Sequence, residues 1–149
     1  MAADLEKRLR LLEDERAILD TLHRYPHCID YVGRPAEFVD LFTDDGVFDI
    51  RYAPPLGRKI VGRKALEQFI QNHRTPDAKY HQHGIIDPLI TLKGNEAFVE
   101  SYWLTLDRGV KGPSLGGCGR YRDHLVRKGD RWKFKERVIE IEVLDPDSH

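Results

Sequence analysis

Residues 80–106 have the sequence YHQHGIIDPLITLKGNEAFVESYWLTL, and this stretch indicates how the second half of the chain folds. It contains two runs rich in aromatic and β-branched residues, 80–92 and 97–106, on either side of Lys93-Gly94-Asn95. A short turn with glycine between two such runs is typical of a β-hairpin. The stretch therefore predicts two antiparallel strands.

Two more β-rich runs follow, at 119–127 and 132–144, and Lys128-Gly129-Asp130 joins them. The segment between 106 and 119 is rich in glycine, so we expect a loop there. From residue 80 onward the sequence thus predicts a series of antiparallel hairpins, which ends in a frayed tail at about 145–149.

The first half of the chain has a helical periodicity. Apolar residues recur at helical spacing over 4–31, which predicts a long amphipathic helix. Pro26 lacks a backbone N–H and crowds the carbonyl four residues earlier, so we expect a kink or break between residues 24 and 27. A short second helix is predicted at 34–42, and 63–73 carries the apolar stripe of a third.

Between the second and third helices, 47–52 alternates as a β-strand with Phe48, Ile50 and Tyr52 on one face. The preceding residues, 43–46, have the composition of a turn. Helices first and antiparallel hairpins later indicate an α+β fold. A chain of 149 residues is long enough for one domain with one buried core, so we expect a single domain over 1–149.

The composition argues against several classes of protein. The 24 Lys and Arg residues are mixed along the chain with 25 Asp and Glu residues, so we expect neither nucleic acid nor a membrane as a partner. Apolar runs are too short for a signal peptide or a membrane span, which predicts a cytoplasmic protein. Cys28 and Cys118 are too few for a disulfide framework and form no C-x-x-C pair, so two reduced thiols are expected.

Several segments occur in an order and spacing that suggest a known family: FVDLFTDDGVFD (38–49), IVGRKAL (60–66), HQHG (81–84), DPLI (87–90) and GDRWKF (129–134). Together with Tyr25 and Ile29-Asp30 they resemble the SnoaL-like, scytalone-dehydratase-like family of the NTF2-like superfamily. The resemblance extends over nearly the whole chain. It implies an NTF2-like cone, in which three N-terminal helices pack on a curved antiparallel or mixed sheet that encloses an apolar pocket. The superfamily includes dehydratases, a dehydrochlorinase, an epoxide hydrolase, isomerases and polyketide cyclases, so the fold leaves the reaction open.

In the dehydratase and dehydrochlorinase branches of this family, an Asp at the end of the first helix and a His at the start of the following long strand form a catalytic dyad. Asp30 and His83 occupy those positions. The chemistry is reasonable, because a neutral imidazole that accepts a proton needs its other nitrogen to donate to a fixed acceptor, such as a carboxylate. The alternatives are a solvated acid at a helix end for Asp30 and a packed strand histidine for His83.

Other aromatic residues are candidates for the pocket. Tyr52 resembles by local sequence a tyrosine that in scytalone dehydratase orients a water onto the substrate carbonyl, although the spacing differs and Ile29 stands where that enzyme has a second tyrosine. By strand and helix phase, Tyr25, Trp103 and Tyr121 are either substrate-binding residues of the pocket wall or ordinary core aromatics.

His81 lies two residues before His83 and therefore on the same face of the strand, where we expect it at the pocket rim or in a hydrogen bond. Two histidines so placed suit a metal, but no third ligand, such as His73, His124 or a carboxylate, stands at motif spacing. The family usually works without metal, so we expect no metal and no cofactor. Arg137 is either a polar group of the cavity or an outer charge, because a bulge would change its phase.

The sequence favours a cofactor-independent lyase of the dehydratase type, with a small, mostly apolar organic substrate. His83, paired with Asp30, would remove a proton from a carbon next to an activating group while a hydroxyl or another leaving group departs, and Tyr52 would bind the oxygen. One alternative is an isomerase or polyketide cyclase that moves a proton in the same cavity. Another is a noncatalytic module that binds a small ligand. We expect a homodimer or a homotrimer.

Overall fold

The computed structural model describes residues 1–30, 34–54, 56–73, 81–109 and 111–145. Its helices are α1 (Ala2–Ile29), α2 (Pro35–Asp40) and α3 (Arg63–His73). Its strands are β1 (Phe42–Arg51), β2 (Arg58–Val61), β3 (His81–Lys93), β4 (Glu96–Gly109), β5 (Gly112–Lys128) and β6 (Arg131–Leu144).

The strands form one mixed, curved sheet in the order β2-β1-β6-β5-β4-β3. Strands β3 to β6 are consecutive antiparallel neighbours. Strand β1 runs parallel to β6 and antiparallel to β2. The helices pack on one face of the sheet, and the side chains buried between the two layers form a core rich in aromatic rings. The α+β fold predicted from the sequence is therefore confirmed.

Helix α1 continues through Pro26, so the predicted break is not found. Pro26 lies close to the end of the helix, and its own carbonyl still accepts the backbone N–H of Asp30 at 2.9 Å. Cys28 and Ile29, in the last turn, are buried in the core. Packing of this turn outweighs the one backbone hydrogen bond that proline removes. The predicted end of the helix, at 31–33, lies outside the described residues.

Strand β1 begins at Phe42, so the turn predicted at 43–46 is wrong. The register of β1 against β6 shifts between Phe42 and Val47, which is the signature of a β-bulge. The polar residues that suggested a turn are accommodated in this irregular part of the strand. At its other end β1 stops at Arg51, so Tyr52 lies beyond the strand in which the sequence placed it.

The loop predicted between 106 and 119 is much too long, because β4 extends to Gly109, β5 begins at Gly112, and the two strands pair with each other. Glycines there permit close approach within the sheet. A Cβ at Gly119 would lie 1.9 Å from the carbonyl oxygen of Glu140, and one at Gly116 would lie 1.9 Å from Oδ2 of Asp107. These glycines make room for neighbouring atoms and do not mark a turn.

The remaining predicted elements agree with the structure. Helix α3 has its predicted bounds, and α2 lies within the range predicted for it. Of the predicted tail, only Asp145 is described, and the start of the β3 prediction at Tyr80 is outside the described residues. Within the described ranges, the helices are too short or too polar to cross a membrane.

Candidate functional site

A cavity of about 280 Å³ lies between helices α1 and α3 and the inner face of the sheet. Much of its wall is apolar, including Ile29, Phe48, Phe69 and Ile139. The same wall contains five of the residues predicted from the sequence: Tyr25, His81, His83, Trp103 and Tyr121. An apolar cavity with a few converging polar groups is the usual form of a small-molecule site.

His83 lines this cavity, and Asp30 is in direct contact with it, as the sequence led us to expect. Asp30 follows the last residue of α1 and has left the helical conformation, with φ −60° and ψ 164°. Its Oδ1 lies 2.7 Å from Nδ1 of His83 and also accepts the backbone N–H of His83 at 3.0 Å. Because a carboxylate only accepts hydrogen bonds, Nδ1 of His83 carries the hydrogen and Nε2 carries the lone pair.

The environment of His83 favours its neutral form. Burial lowers the pKa of His83, and the hydrogen bond with Asp30 opposes this effect without overcoming it. The positive charges of His81 and Arg137 lower the pKa of His83 further. A histidine that is neutral at neutral pH and has a lone pair on Nε2 is suited to accept a proton.

A second histidine–carboxylate contact lies beside the first. Nδ1 of His81 lies 2.5 Å from Oδ1 of Asp107, and the ring centroids of His81 and His83 are 4.6 Å apart with perpendicular planes. Asp107 is the cross-strand partner of His81 in the ladder between β3 and β4. The sequence analysis missed Asp107, although a signal was present: it lies in phase with Trp103 and Thr105 on the buried face of β4.

Arg137 is the largest charged group in the core and is 0% exposed. Its guanidinium carbon lies 3.9 Å from the centroid of the Tyr25 ring and 3.8 Å from that of Tyr121, so the cation is stacked between two phenols. Its Nε lies 3.3 Å from Oδ1 of Asp123. Burial raises the pKa of Asp123 to about 7, against the opposing charge of Arg137. The cavity therefore has a buried positive charge behind its two tyrosines.

From the sequence, Arg137 could face either side of the sheet, and a β-bulge in β6 determines that it faces the core. Strands β5 and β6 are antiparallel. Phe134 pairs with Leu125, but His124, the residue before Leu125, pairs with Glu136, so one residue of β6 has no partner in the ladder. As a result Phe134 and Arg137, three residues apart, are both buried. In a regular strand they would face opposite sides.

Tyr25 and Tyr121 present buried hydroxyl groups. The two hydroxyls interact with each other, and neither makes a hydrogen bond of good geometry to a described residue. Burial raises the pKa of both phenols, so they keep their protons and remain donors. A buried donor without a partner costs roughly 1–3 kcal/mol, which a bound oxygen atom would recover.

Of the two remaining aromatic candidates, Trp103 lines the cavity and Tyr52 does not. Tyr52 is 41% exposed and is not part of the cavity wall, so the expectation that it faces the interior is wrong. The physical reason is the early end of β1, after which the strand alternation no longer applies. Trp103 is buried, lines the cavity, and donates its indole N–H to the carbonyl of Glu140 at 3.2 Å.

In the described part of the chain, no group of three or more His, Cys, Asp or Glu side chains is arranged to hold a metal ion. His124, one of the possible third ligands, contacts Glu96 and stacks on Phe98. Nδ1 of His81 and Nδ1 of His83 each contact a carboxylate, and His73, the third histidine of the cavity wall, stacks on Phe69.

This chain matches a family model and several solved structures. The model of the SnoaL-like domain family matches residues 10–138. No curated protein matches the chain significantly. An NTF2-like protein with a cystatin-like fold from Novosphingobium aromaticivorans is 22% identical, with a TM-score of 0.82 over 98% of this chain and 92% of that one.

Two other solved structures from N. aromaticivorans have names that bear on function. One, provisionally named a scytalone dehydratase, is 27% identical, with a TM-score of 0.71 over 89% of this chain and 86% of that one. The other is the β subunit of a provisionally identified aromatic-ring-hydroxylating dioxygenase; it is 20% identical, with a TM-score of 0.73 over 87% of this chain and 90% of that one. With the family model matching most of its length, the chain belongs to the SnoaL-like family and has the NTF2-like, cystatin-like fold.

Proposed function

We propose that this protein is a cofactor-independent lyase that eliminates water, or a similar leaving group, from a small and mostly apolar carbonyl compound. One observation carries the proposal: Oδ1 of Asp30 accepts both the ring and the backbone N–H of His83, which leaves Nε2 of that histidine as a base in the cavity wall. The likeness to a provisional scytalone dehydratase supports elimination as the reaction.

In the proposed reaction, Nε2 of His83 takes a proton from the carbon next to the carbonyl group. The electron pair of that C–H bond forms the new double bond, and the bond to the leaving group breaks. Asp30 stabilises the imidazolium that forms, since its carboxylate already holds Nδ1–H. Proton abstraction next to a carbonyl is otherwise slow, and a general base contributes about 10²–10⁴ in rate.

We assign the binding of the carbonyl oxygen to the hydroxyls of Tyr25 and Tyr121. They are buried donors that make no hydrogen bond of good geometry to a described residue, and the stacked Arg137 cation stabilises negative charge near them. Negative charge develops on the carbonyl oxygen as the proton leaves, so these hydrogen bonds strengthen in the transition state. This assignment replaces the role that the sequence suggested for Tyr52.

The size and lining of the cavity define the substrate class. A volume of about 280 Å³ is at the lower end of the range for ligand sites and suits a compound of one or two rings. The apolar wall favours a substrate without net charge.

The test uses the aldol adduct of acetone and benzaldehyde, a β-hydroxy ketone that yields benzylideneacetone and water. We expect the wild type to form benzylideneacetone, detected by absorbance and by the loss of one water in the product mass. His83→Gln should abolish the activity, whereas His124→Gln, which removes a histidine outside the cavity wall, should retain it. Equal rates in the two variants would refute the proposed base.

Two other outcomes identify the alternative functions. A product that has lost no water, and that carries deuterium next to the carbonyl when the reaction is run in heavy water, would indicate an isomerase or a cyclase that uses the same base. Binding of the ketone without proton exchange or turnover would indicate a noncatalytic module, a possibility favoured by the fold that the chain shares with a dioxygenase β subunit.

A further inference from the structure

A second group able to transfer protons lies next to His83 in the same cavity wall. His81 contacts Asp107 through Nδ1, so its Nε2 is on the far side of the ring, and no hydrogen bond to a described residue occupies it. His81 and His83 come from the same face of β3. Two imidazoles that are each held by a carboxylate, with ring centroids 4.6 Å apart, make a site of two proton-transfer groups.

The two histidines differ in their access to solvent. The side chain of His83 is 11% exposed and that of His81 is 30% exposed. His81 can therefore exchange a proton with water, while His83 is held away from it. The charge of His81 also lowers the pKa of its neighbour, so the two rings are not protonated together readily.

The two carboxylates differ as well. Asp30 has the backbone N–H of His83 as a second donor, in addition to the ring. Asp107 is buried, and its Oδ2 has no hydrogen-bond partner within the described ranges. Oδ1 of Asp107 contacts Nδ1 of His81, so a proton that this ring gains or loses is exchanged at Nε2.

A glycine beside Asp107 leaves space for its carboxylate to contact His81. The position that a Cβ would take on Gly116 lies 1.9 Å from Oδ2 of Asp107. Any other residue there would displace the carboxylate, so the glycine keeps the space that Asp107 needs beside His81. Gly116 also lines the cavity.

We propose that His81, held by Asp107, is the general acid that protonates the leaving group, while His83, held by Asp30, is the base. The inference rests on the proposed elimination. Nε2 of His83 takes the proton from carbon, the C–H electron pair forms the double bond, and the C–O bond breaks. Nε2–H of His81 gives its proton to the departing oxygen, which leaves as water. After the product leaves, water enters the cavity and carries the proton from His83 back to His81, which restores both rings.

The experiment compares two substrates that give the same product with different leaving groups: the aldol adduct of acetone and benzaldehyde, and its acetate ester. Hydroxide is a poor leaving group and needs a proton, whereas acetate leaves without one. For His81→Asn, kcat/KM for the hydroxyl substrate should fall by about 10²–10⁴, and that for the ester by less than about tenfold. The asparagine amide keeps a donor for Asp107, and circular dichroism checks that the variant is folded.

His83→Gln should reduce the elimination of both substrates alike, since both need the base. Asp107→Asn should reproduce the selective loss of His81→Asn, which a merely structural role would not produce. Equal losses on both substrates in His81→Asn, or no loss on either, would overturn the assignment of the acid and leave the lyase standing. If the wild type eliminates neither leaving group, the proposed function fails and the inference fails with it.

Discussion

Oδ1 of Asp30 accepts two hydrogen bonds from His83, one from the ring at 2.7 Å and one from the backbone at 3.0 Å. The backbone bond fixes the carboxylate relative to β3, and the ring bond then selects which nitrogen carries the hydrogen. A single carboxylate at the end of α1 thereby orients the His83 ring and joins the helix to the sheet. This relationship leads to the first prediction.

Asp30→Asn should lower kcat by about 10²–10⁴ with little change in KM. The asparagine has nearly the same shape, but it does not balance the positive charge of the imidazolium, and its amide can hold the wrong tautomer. Steady-state kinetics with the aldol adduct would measure both constants. A large rise in KM at constant kcat would instead mean that Asp30 serves binding only.

Protein stability should decrease as the pH falls below about 6.5, the usual pKa of histidine. Burial lowers the pKa of His83 in the folded protein, so between that lower value and about 6.5 the unfolded chain binds more protons than the folded one. Urea denaturation at about pH 7.5 and pH 5.5 would give the two free energies of unfolding. In His83→Gln the difference should be smaller, and an unchanged difference would contradict the assignment.

Tyr121→Phe should lower kcat by roughly tenfold or more, scaled down from the 10²–10³ of an oxyanion-hole donor, with a smaller effect on binding. The substitution removes a buried hydroxyl that makes no hydrogen bond of good geometry to a described residue, and it keeps the ring stacked on Arg137. Tyr52→Phe is the matched control. Because Tyr52 is half-exposed and outside the cavity wall, its loss should leave kcat unchanged. The reverse pattern would restore Tyr52 to the site.

Arg137→Met should destabilise the protein by about 3–5 kcal/mol, because it leaves the buried Asp123 without its cation. Adding Asp123→Asn should recover part of that loss, since the remaining pair carries no charge. Chemical denaturation of the two single variants and the double variant gives the coupling free energy. Additive losses would show that Arg137 acts through its stacking on the tyrosines and not through Asp123.

The purified protein should carry no stoichiometric transition metal, and a chelator should leave its elimination activity unchanged. His73 lines the cavity together with His81 and His83, but among the described residues no three donors are arranged to hold an ion. Elemental analysis before and after dialysis against EDTA is the measurement. One zinc or iron per chain, lost together with activity in His81→Asn, would be the contrary result.

Sequence patterns were informative where the relevant forces are local. Helix α3 and the turns at Gly94 and Gly129 followed from periodicity and glycine positions, and both glycines have positive φ. Asp30 and His83 were identified by their resemblance to a family motif, which encodes a tertiary contact that 53 residues of separation would otherwise hide.

The positions of the other side chains near the cavity depend on cross-strand register and on irregular strand geometry. Asp107 meets His81 because β3 and β4 pair in one particular register, and the bulge before Arg137 turns that side chain inward, beside the rings of Tyr25 and Tyr121. Strand alternation has a period of two, so one skipped residue reverses every assignment beyond it. The sequence alone determined the order of helices and hairpins and the likeness to a family. Only the tertiary structure showed that Asp107 contacts His81 and that Tyr52 lies outside the cavity wall. Both positions depend on strand register and strand length, which are determined by contacts between residues distant in sequence.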